Sequence, residues 1–383
     1  MLMCARCGNQ YPDDAKIWRC TCKGELEYRP ERKRDIAFAE CQARPVHSIW
    51  RYRQVFPPVD DKNIVSLGEG STPIISARWH DFPVRFKLDF LCPTGSYKDR
   101  GSSVMISWLK QMGIRSVVED SSGNAGASVA AYAARAGMDC TIFVPSDTSP
   151  AKLTQIRAYG AKVRPISGTR QDVALACQRA VEEDRSGQAF YASHNWNPFF
   201  LEGMKTLAYE IFEQCRQEGS MPDWVVVPAG YGSVALGAYG GFRNLMNCGM
   251  LDKLPKLIVV QAENCAPLYQ AFLRGDTHVT PVKGEKTAAE GIACSNPIRG
   301  AQILYAVRDS GGFVMAVSER EIHSATQELA EDGIYVEPTS AVVAAALSRL
   351  ISEGIIGGNE VPLGILTGTG LKAGYYYDSI YQS

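Results

Sequence analysis

Ser116-Val117-Val118-Glu119-Asp120-Ser121-Ser122-Gly123-Asn124-Ala125-Gly126, followed by small residues as far as Ala136, carries the reading of the fold. The valine-centred start suits a strand, the Ser-Gly-Asn cluster breaks it, and the alanine-rich run that follows suits a helix. The same rhythm spreads outward. Strands are expected at 84–88, 140–144 and 161–166, with helices over 101–112 and 149–159. It recurs at Trp224-Val225-Val226-Val227, which runs into Pro228-Ala229-Gly230-Tyr231-Gly232-Ser233 and a second helix of small residues. Further strands are expected at 256–260 and 363–366. Apolar strands alternating with helices imply an α/β fold on open parallel sheets, covered on both faces. No repeat of about 20–50 residues appears. In folds of this kind ligands bind beyond the C-terminal ends of the strands.

The expected organisation has three parts. Residues 1–30 read as a small zinc-ribbon-like segment, and 31–83 as a connecting segment rich in charge, proline and aromatics. Residues 84–383 read as two interleaved α/β domains, the smaller roughly 100–210 and the larger the remainder, with the ligand cleft between them. In the first part, Cys4, Cys7, Cys20 and Cys22 offer four thiolates on two knuckles about a dozen residues apart, a pattern that suits tetrahedral zinc. The CxC spacing of the second pair is tighter than the usual CxxC, and the alternative is a set of reduced cysteines without metal. Four protein ligands leave no open coordination position, so the expected zinc is structural. Cys41, Cys92, Cys140, Cys177, Cys215, Cys248, Cys265 and Cys294 stand singly and read as small buried hydrophobes.

The chain has 40 Lys and Arg against 41 Asp and Glu, a net charge of -1. Charge so evenly balanced offers no surface to a phosphate backbone or an anionic membrane, which argues against a nucleic-acid or membrane partner. No run of about 18 apolar residues suggests a spanning helix. Met1-Leu2-Met3-Cys4 lacks the apolar run of a signal peptide, so the expected location is the cytoplasm.

The chemistry is concentrated in strand-end turns. Lys98, in Pro93-Thr94-Gly95-Ser96-Tyr97-Lys98-Asp99-Arg100, lies between a strand and a helix. Partial desolvation near a helix N-terminus disfavours the ammonium form and favours a nucleophilic amine. The alternative is a solvated surface lysine. Gly230, Tyr231, Gly232 and Ser233 open a helix whose first amides are suited to cradling a phosphate, and the alternative is a tight turn. The string is neither GxGxxG nor a P-loop. Ser121, Ser122, Gly123 and Ala125 are placed to hold a carboxylate in the same way, while Asn124 offers an amide. His194 is either a pocket acid or base, or a structural histidine.

Taken in order, PTGSYKDRG at 93–101, SSGNAGAS at 121–128, PAGYGS at 228–233 and LTGTG at 366–370 resemble the fold-type II pyridoxal-phosphate enzymes, most closely the threonine synthase-like branch. GEGSTP at 68–73, LEGMKT at 201–206 and EPTSA at 337–341 resemble further elements of that family, so the likeness covers roughly residues 66–377. It implies pyridoxal 5'-phosphate as cofactor, with Lys98 as the Schiff-base lysine and general base. Asn124 would bond the cofactor's phenolic oxygen, Gly230, Tyr231, Gly232 and Ser233 its phosphate, and Thr367 its pyridine nitrogen. A neutral hydroxyl there leaves the ring a weaker electron sink, favouring elimination and replacement over racemisation. Ser121, Ser122, Gly123 and Ala125, with Asn197, would bind the small amino-acid substrate. The resemblance also implies a homodimer.

Two positions depart from the family pattern. Ala125 stands where a threonine is expected, and Phe200 stands where a phosphate-binding arginine is expected. An aromatic ring cannot reproduce the bidentate grip of a guanidinium. The resemblance implies a lyase that turns O-phosphohomoserine and water into threonine and phosphate. The departures leave two options: another basic residue supplies the missing cation, with Arg299 the candidate unless it serves a structural ion pair, or the enzyme is a β-replacing or deaminating relative of the cysteate synthase, sulfhydrylase or dehydratase type.

Overall fold

The computed structural model describes residues 1–30, 46–184, 186–217 and 219–381. Cys41 and residues 31–45 of the expected connecting segment lie outside the described residues. The first strands are β1 (Leu2–Cys4), β2 (Gln10–Tyr11), β3 (Leu26–Tyr28), β4 (Ile74–Trp79) and β5 (Phe82–Leu88). Next come β6 (Ser116–Glu119), β7 (Asp139–Pro145), β8 (Lys162–Ile166) and β9 (Ala189–Tyr191). The last are β10 (Trp224–Pro228), β11 (Lys256–Ala262), β12 (Phe313–Val317) and β13 (Pro362–Leu366). The helices begin with α1 (Lys98–Gln111), α2 (Asn124–Ala136), α3 (Pro150–Ala158), α4 (Arg170–Glu182) and α5 (Pro198–Met204). They continue with α6 (Thr206–Gln217), α7 (Ser233–Asn247), α8 (Pro267–Leu273), α9 (Gly300–Asp309), α10 (Glu319–Glu331), α11 (Pro338–Ser352) and α12 (Gly374–Tyr381).

The chain divides into two compact units, Met1–Gly70 with Lys98–Met204, and Ser71–Tyr97 with Lys205–Ser383. The first unit holds an all-parallel sheet in the order β8-β7-β6-β9. Its central residues Val117, Ile142, Phe143 and Val144 are buried, as strands covered on both faces require. It also carries the small antiparallel sheet β2-β1-β3.

The second unit is built on the sheet β12-β11-β10-β13-β5-β4, parallel except for β4, which runs antiparallel to β5 at the edge. Residues 74–79, which fall within the expected connecting segment, are therefore part of this sheet. Only Trp79 among them is buried, and the half-buried and exposed side chains before it give little apolar signal, as befits an edge strand. Val226, Ile258 and Val260 pack with Val343 and Leu347 of α11 in the main core. Among the described residues no helix is long and apolar enough to cross a membrane.

Candidate active site

In the first unit, Lys98 is the first residue of α1 and its Nζ stands 5.7 Å from the centroid of the Phe200 ring. Phe200 is fully buried on α5, its ring lying where a Cβ on Gly101 of α1 would meet it at 2.5 Å. The two helices therefore meet closely beneath the lysine. Ser121, Ser122 and Gly123 form the turn before α2, with Ser121 Oγ accepting from the Gly123 N–H at 3.3 Å. Asn124 opens α2, no side chain caps its start, and Ala125 is buried in its first turn. Asn197 Oδ1 accepts from the Phe199 N–H at 2.9 Å and so caps the start of α5.

His194 lies deep in this unit, with Nδ1 2.7 Å from Glu119 Oε1 at the end of β6. Burial pushes the His194 imidazole well below its ordinary value, aided by the positive Lys98 and Arg170. Burial, with the neighbouring Asp120, pushes the Glu119 carboxyl well above its own. Burial thus favours the uncharged form of each group, and a carboxyl that keeps its proton can donate it to the ring nitrogen across the 2.7 Å contact. Asp120 is held by Arg170 at 2.6 Å and by the Tyr191 hydroxyl at 2.9 Å.

In the second unit, β10 runs through Ala229, Gly230, Tyr231 and Gly232 into α7. Gly232 has φ +79, and a Cβ there would meet Ile303 Cδ1 at 2.2 Å. At Gly230 a Cβ would lie 3.0 Å from the Ile292 backbone. Gly232, at the start of α7, has no side chain with which to cap the helix. The Ser233 hydroxyl lies 3.0 Å from Tyr97 OH. Tyr97 also donates its N–H to Thr367 O at 3.0 Å, and the Thr369 N–H reaches Gly95 O at 3.1 Å. Ser96 Oγ is buried with no hydrogen-bond partner among the described residues.

Thr367, at the end of β13, is buried beside Ser340 of α11. Ser340 Oγ accepts the N–H of Thr367 at 2.9 Å and that of Gly368 at 2.8 Å. A hydroxyl has two acceptor positions, so both are taken and its single proton must be donated. The nearest acceptor is Thr367 Oγ1 at 3.0 Å, ahead of Gly368 O at 3.3 Å. The Thr367 proton is left to point elsewhere. Arg299, nearly fully buried at the start of α9, donates from Nη1 to Gln302 Oε1 at 3.1 Å.

Another lysine is committed to structure. Lys87 Nζ, fully buried on β5, donates to Thr72 O at 2.6 Å, Gln214 Oε1 at 2.9 Å and Glu210 Oε2 at 3.0 Å. Glu210 Oε1 in turn accepts the Ser71 N–H at 2.8 Å. Sequence reading did not find the pairs Ser340–Thr367, Tyr97–Ser233 and Glu119–His194, although EPTSA had marked Ser340 as part of an element. No periodic signal joins residues 27, 136 or 75 positions apart.

The family described as "Pyridoxal-phosphate dependent enzyme" matches residues 65–368. The threonine synthase of Methanocaldococcus jannaschii is 36% identical, over 96% of this chain and 92% of that protein. That of Methanosarcina acetivorans is 33% identical, over 97% and 92%. Among solved structures, the serine racemase of maize is similar with a TM-score of 0.66 at 22% identity, covering 81% of this chain and 92% of that one. The L-serine ammonia-lyase of Rhizomucor miehei gives a TM-score of 0.69 at 18% identity, over 82% and 98%. At such identities these two structures establish the fold alone.

Proposed function

Because the chain belongs to the family of pyridoxal-phosphate-dependent enzymes, we propose that it is a threonine synthase-like carbon–oxygen lyase acting on a small amino acid. The proposed reaction converts O-phosphohomoserine and water to threonine and phosphate. The observation that carries the site is Tyr97. Its N–H is bonded to Thr367 O and its hydroxyl to Ser233 Oγ, so the residue directly before Lys98 ties together the two segments assigned to the cofactor's ring nitrogen and phosphate. The residues suit the group: a turn at Gly230 and Gly232 where Cβ atoms would intrude, an uncapped helix start, and a buried hydroxyl at Thr367.

When bound, the cofactor serves as an electron sink for the bonds at the substrate's α-carbon. The Lys98 amine would hold the cofactor and serve as the base for the substrate's α-proton. Gly230, Tyr231, Gly232 and Ser233 present amides and a hydroxyl to the phosphate at the positive end of α7. Asn124 orients the phenolic oxygen. Ser121, Ser122, Gly123 and Ala125 present backbone groups to the substrate carboxylate, and Asn197 fixes the loop beside them by capping α5. With the Ser340 proton given to Thr367, the Thr367 hydroxyl would be free to donate to the ring nitrogen, which would favour its uncharged form.

One observation favours a second reading. The fully buried Phe200 ring brings no positive charge to the place where the family has arginine. That suits a β-replacing or deaminating enzyme whose substrate lacks the phosphohomoserine phosphate. The deciding experiment compares kcat/KM for phosphohomoserine, phosphoserine, serine and threonine in the wild type and in Arg299→Ala. On the leading reading, phosphohomoserine is the best substrate and Arg299→Ala loses about one to two decades, the worth of one charge-assisted contact. Turnover of serine or phosphoserine without threonine formation from phosphohomoserine would establish the second reading instead. The family likeness supports a homodimer, which sedimentation of the purified holoenzyme tests, and the scattered single cysteines support a cytoplasmic location.

A further inference from the structure

Residues 1–30 bury too little to hold themselves together. Their strands are two or three residues long, and their buried apolar side chains are few, chiefly Leu2, Trp18, Leu26 and Tyr28. Lobes of this size are ordinarily held by a metal or by disulfides. The sulfurs of Cys4, Cys7, Cys20 and Cys22 all lie within 4.8 Å of one another. The Cys4–Cys22 and Cys7–Cys20 pairs are each 3.5 Å apart. Zinc bound to four thiolates at about 2.3 Å places its sulfurs on tetrahedral edges of about 3.8 Å, so the cluster needs little movement to receive the ion.

The short CxC knuckle closes as the CxxC knuckle does. In the first, the Cys4 N–H donates to Asn9 O at 2.8 Å and the Gly8 N–H to Cys4 O at 3.0 Å, with Gly8 at φ 75. In the second, the Cys20 N–H donates to Gly24 O at 3.0 Å and the Lys23 N–H to Cys20 O at 2.8 Å, with Lys23 at φ 64. One residue is lost from the tip, and the two pairs of sulfurs still converge. At Gly24 a Cβ would sit 2.8 Å from Cys4 Sγ and 3.2 Å from Cys22 Sγ, so the position admits glycine alone.

The lobe bears on the stretch that follows β9. Trp18 sets its ring edge-on to Tyr191 at 5.0 Å and to Trp196 at 5.4 Å. Tyr28, at the end of β3, lies 5.4 Å from Phe199, which stacks on Trp108 of α1 at 4.1 Å. Trp196 precedes Asn197, Phe199 lies two residues after it, and Phe200 follows beneath Lys98. We propose that Cys4, Cys7, Cys20 and Cys22 bind one zinc ion, and that the zinc-loaded lobe, through Trp18 and Tyr28, sets the position of residues 193–200. The catalytic weight of that stretch rests on the function proposed above, whereas the metal site stands without it.

The holoenzyme purified without chelator is expected to carry one zinc per chain by elemental analysis, and the absence of metal, or iron in its place, would overturn the site. Cys7→Ser, at the exposed ligand, is expected to lose the zinc, keep its cofactor content, and show faster amide hydrogen exchange across 193–200. Trp18→Ala is expected to keep the zinc, to show the same faster exchange, and to raise KM about tenfold with kcat nearly unchanged, the scale of two lost aromatic edge contacts. Exchange across 193–200 that stays at the wild-type rate in both variants would overturn the coupling. Metal content and exchange need no turnover, so a wrong substrate assignment would show as missing activity with zinc and protection intact.

Discussion

Replacing Ser340 by alanine tests the hydrogen-bond accounting around Thr367. The hydroxyl accepts the N–H groups of Thr367 and Gly368 at 2.9 and 2.8 Å, in a place where Ser340 is fully buried and Thr367 nearly so. Alanine leaves both amides without that acceptor, and each buried unsatisfied group costs about 1–3 kcal/mol. The expected loss is therefore about 2–6 kcal/mol, which in a folding unit of this size lowers the melting temperature by roughly 4–24 °C. Thr367→Val supplies the contrast. It removes only the hydroxyl that receives the Ser340 proton, and that proton still has Gly368 O at 3.3 Å, so the loss should stay near 1 kcal/mol. Thermal and urea unfolding of the two variants beside the wild type measure both numbers. A Ser340→Ala midpoint within about 1 °C of the wild type would refute the accounting. A Thr367→Val loss as large as that of Ser340→Ala would show that the hydroxyl proton runs the other way.

Borohydride reduction followed by peptide mass spectrometry should place the pyridoxyl adduct on Lys98, and Lys98→Ala should abolish both adduct and turnover; an adduct on Lys87 or Lys205 would overturn the assignment. Lys87 is the least suited of the three, since its ammonium already serves three acceptors. The Glu119–His194 pair should shape stability against pH. Above about pH 6.5 the unfolded chain has released its histidine proton, while the folded pair keeps the carboxyl proton that burial holds on Glu119. The folded state then binds one proton more, so stability falls with rising pH by up to about 1.4 kcal/mol per unit until the folded carboxyl ionises. Between about 4.3 and 6.5 both states hold one proton on the pair and its contribution is level, and below about 4.3 the unfolded chain takes up a second proton and stability falls again. Glu119→Gln should remove the alkaline slope, and urea midpoints from about pH 6.5 to 8.5 that fall equally in variant and wild type would count against the neutral pair.

How much of this was legible in advance depends on the range of each interaction. The strand, turn and helix that begin at Ser116 follow from neighbours a few positions apart, and the structure forms β6 and α2 within a residue or two of expectation. The turns at Lys98 and at Gly230 to Gly232 are likewise local, because small residues and a helix start define them in the chain itself. The edge strand β4 was not legible, since its half-exposed side chains carry no apolar run.

What the sequence by itself determined was therefore the α/β class, the order of the motifs and the small-residue turns that join its strands to its helices. Backbone preference and hydrophobic period act over one turn of chain, and those features are written at that scale. Only the tertiary structure decided that Ser340 gives its proton to Thr367, that Tyr97 joins Thr367 to Ser233, and that Lys87 is consumed by Glu210. It alone decided that Glu119 meets His194 out of water and that Trp18 rests on Trp196. Each of these contacts links residues far apart in the chain, and its strength comes from exclusion of water, which exists only once the chain has closed around it.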